Sequence, residues 1–213
     1  MNTEVQIQSM NPWVSIWIKP RGTIRWIVET DPTRHVVLLA VVGGIANSLN
    51  LVEMFNLGDL LPLPIMLIFA LVAGAIWGLP YIYIFGAILR WTGSWFGGEA
   101  TRKEVRAAIA WSSVPSIWAL MLWVPGLILL REELFTSPRL PYLSPSKDYD
   151  YLIVGFIYLR GVIAIWAGIV FFKCLGEVHG FSAWKAIGAT IIPRFISLSI
   201  FLSCLRAMNF ISY

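Results

Sequence analysis

Long apolar runs dominate the pattern of hydrophobic and polar positions along this chain. A helix needs about twenty predominantly apolar residues to cross a hydrocarbon layer of about 30 Å. Five stretches reach that length: Val36 to Phe55, Leu63 to Leu89, Val105 to Leu130, Tyr151 to Phe172 and Ala186 to Leu205. The first is the least uniform, because Asn47, Asn50 and Glu53 fall within it, and these polar groups are expected to face the bundle interior rather than lipid. The pattern predicts an all-α fold: a polytopic membrane helix bundle of about five transmembrane helices with an N-terminal interfacial amphipathic helix. Residues 1–35 read as a cytoplasmic segment carrying that helix, and residues 36–213 as the transmembrane domain.

The interfacial helix is read from Asn11 to Trp26 (NPWVSIWIKPRGTIRW). Asn11 is a cap and Pro12 takes the first helical position, where its missing donor costs nothing. Trp13, Ile16 and Trp17 then share one face, and a Lys19-Pro20-Arg21 turn is expected to follow. Interleaved Lys19, Arg21 and Arg25 would put charge toward phosphates and rings at headgroup depth. A cytoplasmic helix packed on the loops is the alternative.

Small residues and prolines mark the spans internally. Ala70, Gly74 and Gly78 recur every four residues, a stripe that lets another helix backbone approach closely. That approach serves packing within the monomer or a dimer seam, and Ala164 with Gly168 makes a weaker version. Pro80, Pro115 and Pro193 are expected to kink spans two, three and five by removing backbone donors. Ser112 and Ser113, just before Pro115, are placed to satisfy freed carbonyls. A faint repeat links the two C-terminal hairpins: Gly97-Gly98 and a run to Pro115 in one match His179-Gly180 and a run to Pro193 in the other.

Composition agrees with the spans: 58% of the 213 residues are hydrophobic and 13% charged, with a mean hydropathy of +0.73. A soluble domain carries about 25% charged residues. The net charge of +4 points to anionic lipid headgroups rather than nucleic acid, because the basic residues flank apolar segments. Counting Lys and Arg near the span ends gives ten on the side of the N-terminus (Lys19 to Arg34, Arg90 to Arg106, Lys173 and Lys185) against four on the other. Positive side chains are retained in the cytoplasm, so the N-terminus is expected inside and the C-terminus outside. No signal-peptide pattern opens the sequence, and the first span is expected to act as an uncleaved anchor. Cys174 and Cys204 fall near opposite faces, too far apart for a disulfide.

Arg160 and Arg194 lie well within spans four and five, and Glu53 near the outer end of span one. Charges at such depth mark either a functional site or a buried pair. A direct Glu53 to Arg160 bridge would need a long reach by residue counting. The two arginines form either a cationic cavity for an anionic ligand or structural groups bonded to freed carbonyls. His35 and His179 are the only histidines, and neither a metal motif nor a nucleophile motif is present. No catalytic, cofactor or metal residue is assigned.

Three segments resemble the Yip-domain (Ypt-interacting protein) family, in its prokaryotic form. They are NPWVSIWIKPRGTIRWIVETDP before span one, GGEATRKEVRAAIAWSSVP entering span three, and FKCLGEVHGFSAWKAI before span five. The resemblance implies five spans and a cytoplasmic N-terminus, and its prokaryotic form a bacterial inner membrane. Eukaryotic relatives bind prenylated Rab-type GTPases through a chain with a long cytoplasmic N-terminal region; with residues 1–35 read as the whole segment before span one, GTPase binding is not expected here. The expected role is non-enzymatic: organising membrane lipids, a membrane protein partner or a second copy through a basic cytoplasmic face. Its residues are Trp13, Trp17, Arg21, Arg25, Arg102 and Lys103. A small-molecule or lipid transporter using the intramembrane arginines and kinked helices is the rival, and a membrane hydrolase the third reading.

Overall fold

A computed structural model describes residues 11–137 and 147–193. These residues are helical throughout, with short turns. The helices are α1 (Pro12–Ile18), α2 (Pro20–Thr30), α3 (Val36–Met54), α4 (Leu63–Trp95), α5 (Arg102–Ser112), α6 (Val114–Leu130) and α7 (Lys147–Val178). A further helix, α8, covers residues 183–193. Four stretches are long and apolar enough to cross a membrane: Val36–Met54, Leu63–Trp95, Arg102–Phe135 and Val154–Val178. The expected fifth span begins within α8, and most of it, with Arg194 and Cys204, lies outside the described residues.

The N-terminal segment follows its capping chemistry further than the sequence reading took it. Asn11 Oδ1 accepts the Trp13 amide at 3.1 Å, and Pro12 opens α1. Pro20 then opens a second helix by the same rule, since its fixed φ and missing donor suit a first helical position. The expected Lys-Pro-Arg turn is therefore a one-residue hinge at Lys19 between two helices. Asp31 ends α2: its Oδ1 accepts the Thr33 amide at 2.8 Å and hydroxyl at 2.6 Å. Those bonds, the hydroxyl foremost, hold the Asp31 carboxyl below its ordinary pKa.

α3 and α4 pack at backbone contact. A Cβ on Gly74 would lie 2.6 Å from the Ile45 Cα, and one on Gly78 would collide with the Ala40 carbonyl oxygen. Gly44 on α3 is equally tight against Gly74 and Gly78. Such contact brings backbone dipoles and dispersion into play, the attraction available where burial from water is not. Ala70 is buried in the same helix, in an apolar cluster with Met66 and Val52. On α7 an added Cβ at Gly168 would meet nothing within 4 Å, so the weaker stripe makes no close contact among the described residues.

The prolines act unequally. α4 runs unbroken through Pro80, whereas span three is divided into α5 and α6 just before Pro115. At that break Ser112 Oγ donates to the Ile109 carbonyl at 2.9 Å and Ser113 Oγ to that of Ala110 at 2.6 Å. Pro193 is the last residue of α8 described.

Two buried clusters form the core. The larger joins α1, α2, α5 and α7 around Ile16, Ile24, Ile27, Val105, Trp111 and Leu175. The smaller, at the other end, gathers Leu49, Met66, Trp123 and Phe135, closed by two short 3-10 turns, Leu57–Asp59 and Arg131–Phe135. Asp59 accepts the Ser137 amide at 3.2 Å and ties those turns together.

Candidate functional site

Two polar regions occupy opposite ends of the bundle. In the one built on the end of α3, Asn50 and Glu53 lie one turn apart and so share a face. Arg160 of α7 bridges both: its Nη2 lies 2.6 Å from Asn50 Oδ1 and 2.6 Å from Glu53 Oε2. Its guanidinium carbon also sits 4.0 Å from the ring centroid of Trp123 on α6. Trp123 is backed by Phe135, stacked at 5.3 Å. The side chains of Arg160 and Glu53 are 13% and 25% exposed, so the pair is mostly withdrawn from its surroundings.

The long gap expected between Glu53 and Arg160 is therefore corrected. Residue counting treated the spans as rods ending at one level. α7 runs from Lys147 to Val178, and its level against α3 is set by packing rather than by where either apolar stretch starts. A long arginine stem covers what remains. Of the other candidates in that region, Asn47 is exposed and Arg194 lies outside the described residues.

The region at the opposite end is built from matched corners. α4 closes through Gly97 at φ 80°, with the Gly98 amide donating to the Gly93 carbonyl at 3.0 Å. α7 closes through Gly180 at φ 73°, with Phe181 donating to Gly176 at 2.9 Å. Both are left-handed glycine closures, which a side chain would strain. A capping box then starts α5: the Thr101 amide donates to Glu104 Oε2 at 2.7 Å and the Thr101 hydroxyl accepts the Glu104 amide. Both hairpins of the faint repeat thus turn by the same device.

The corners interlock through His179. A Cβ on Gly93 or Gly98 would overlap its imidazole, and its other face stacks on Phe181 at 5.0 Å. Neither ring nitrogen has a hydrogen-bond partner among the described residues. Burial pushes the His179 pKa below its ordinary value; Glu104 acts in the opposite sense and Arg90 adds to the lowering. Thr92 reinforces the joint by donating to the Ala189 carbonyl at 2.8 Å.

Around these corners lie the residues read as a cytoplasmic interface. Arg25 pairs with Glu177 of α7, its Nε 2.7 Å from Oε1. Arg21, Arg102 and Lys103 are exposed. Trp13 turns inward, 5.3 Å from Trp111 and 6.2 Å from His35, and Trp17 packs against the larger cluster. The Trp111 indole donates to the Arg34 carbonyl at 3.2 Å, fixing α5 to the start of α3.

Sequence reasoning passed over Trp123, His179 and Arg106 as site residues. For Arg106 a signal existed, since it stands one residue inside the expected third span. Its guanidinium carbon lies 4.4 Å from the ring centroid of Tyr83 on α4. Among the described residues no three His, Cys, Asp or Glu side chains gather to hold a metal.

Neither a curated protein nor a solved structure matches this chain. A family model does, described as the Yip1 domain, over residues 14–205. That match takes in α1 and α2 nearly whole along with the apolar helices, agreeing with the packing of both N-terminal helices into the larger core. This chain is an integral membrane protein belonging to the Yip1 domain family.

Proposed function

We propose that the protein is a non-enzymatic organiser of membrane lipids or a membrane partner, working through the basic end built by α1, α2 and the α4–α5 corner. The observation that carries this reading is the packing of α2 against α5 and α7 in one core, which leaves Arg21, Arg102 and Lys103 exposed beside it. Clustered cations next to apolar spans attract anionic headgroups at about 1 kcal/mol each. Trp91 and Trp95, packed edge to face at 4.6 Å and exposed at the end of α4, add rings suited to an interface. Arg25 contributes less, because Glu177 already holds it. The transporter reading loses support at Arg160, whose charge is met by Glu53, Asn50 and Trp123.

The test is reversal of Arg21, Arg102 and Lys103 to Glu, with native mass spectrometry of protein extracted with its own lipids. The expected result is loss of co-purified anionic lipid or partner. An unchanged set of bound species would end this reading.

A further inference from the structure

Resting on the lipid-organising reading and naming its seat, we propose that the α4–α5 groove at Arg106 binds the phosphate headgroup of an anionic glycerophospholipid. Three contacts fix this guanidinium in place. Its stem runs over Gly86 of α4, where an added Cβ would meet Arg106 Cγ at 3.2 Å. Its Nε donates to the Arg102 carbonyl at 3.1 Å, and one face lies on the Tyr83 ring. Among the described residues the two terminal nitrogens donate to no partner. The ion pairs among the described residues are Arg25 with Glu177 and Arg160 with Glu53, so no described carboxylate lies within ion-pair distance of Arg106.

Depth turns this into a binding argument. Tyr83 lies seven residues before Arg90, about 10 Å further into the apolar stretch at 1.5 Å per residue. Tyr83 and Ile84 are each 54% exposed on the α4 surface, as a lipid-facing stretch would be. An uncompensated cation at that level is costly, and acyl chains offer it nothing. A phosphate carried down by its own lipid meets the planar donor fork while its tails cover Tyr83 and Ile84. Arg90, whose Nε donates to the Ala100 carbonyl at 3.3 Å, lies one turn beyond Gly86 on the same face of α4. A free phosphate shares the charge but has no tails to desolvate the groove, and an acidic protein segment would have to enter the apolar layer.

The experiment titrates the full chain, in uncharged detergent, with phosphatidylglycerol or with phosphatidylcholine of identical acyl chains, and counts bound lipid by native mass spectrometry. Expected is one saturable phosphatidylglycerol with clear preference over phosphatidylcholine. Arg106→Gln should weaken it about tenfold, the loss of one charge-assisted contact. Arg106→Lys, which keeps charge and fold but not the planar fork, should fall between. Wild-type affinity in a monodisperse Arg106→Gln protein would overturn the seat, as would wild-type affinity in Arg106→Lys if Arg106→Gln does not fold. Displacement of the lipid by inorganic phosphate alone would overturn the lipid assignment. If Arg106→Gln binds normally while reversal of Arg21, Arg102 and Lys103 strips lipid, the seat falls and the basic-face reading stands. If neither change alters binding, both fall.

Discussion

Arg160 and Arg106 are the same side chain in two different electrostatic situations. Arg160 meets a carboxylate, an amide and an indole face from two neighbouring helices, so its charge is neutralised within the protein. Arg106 meets a backbone carbonyl and a phenol ring, which orient it without neutralising it. A guanidinium at membrane depth needs a counter-charge. Where the chain supplies one the residue is structural, and where it does not the counter-charge comes from outside. An arginine within a span is thus judged by its partners rather than its position.

The strongest way to break that contrast is to unpair Arg160. Glu53→Leu should cost about 3 kcal/mol, because removing one partner strands a mostly buried charge. The double variant Glu53→Leu with Arg160→Leu should recover most of that loss. Denaturant unfolding in detergent checks both, and equal losses in single and double variants would contradict the pairing argument.

Next in size is the contact that holds α3, and so Glu53, in register. Gly78→Val forces a side chain into the Ala40 carbonyl and should cost about 2 kcal/mol as overpacking. Thermal unfolding with Gly155→Val as control reads this, since an added Cβ at Gly155 meets nothing within 4 Å.

A smaller effect depends on pH. The folded pKa of His179 is below its ordinary 6.5, so between the two values the unfolded chain binds more protons, and stability rises with pH there. The interlock of the corners should weaken as pH falls below 6.5 towards the folded value. His179→Phe, which keeps a flat ring over Gly93 and Gly98, should flatten the dependence of the melting temperature between about pH 7.5 and about 5.5. A slope identical to wild type would remove His179 from the account. The smallest stability change is expected for Arg106→Gln, about 0.5 kcal/mol, because losing the Nε hydrogen bond and the Tyr83 contact is offset in part by removing an uncompensated charge.

The first four spans were legible because lipid imposes one-dimensional rules of length and apolarity. The stripe at Ala70, Gly74 and Gly78 was legible because only small residues permit backbone contact, although α3 as its neighbour was not. The reach of α4 to Trp95 was missed because Arg90, Thr92, Gly93 and Ser94 look like a loop, yet a helix can continue through headgroups with polar side chains. The second N-terminal helix was missed although Pro20 obeys the rule applied to Pro12. The Glu53–Arg160 bridge was hidden because residue counting carries no information on relative helix levels. The His179 seat was hidden because its walls are two glycines on another hairpin, a long-range fit no spacing reveals.

The contrast between the two arginines is tested most directly by the shift in melting temperature that phosphatidylglycerol gives to wild type, Arg160→Gln and Arg106→Gln, each against its lipid-free value. A ligand that binds the folded state raises that temperature in proportion to its occupancy. The account predicts a wild-type shift in Arg160→Gln on a lowered baseline, and a near-wild-type baseline with little shift in Arg106→Gln. The reverse pattern, with the shift lost at Arg160 and kept at Arg106, would contradict it.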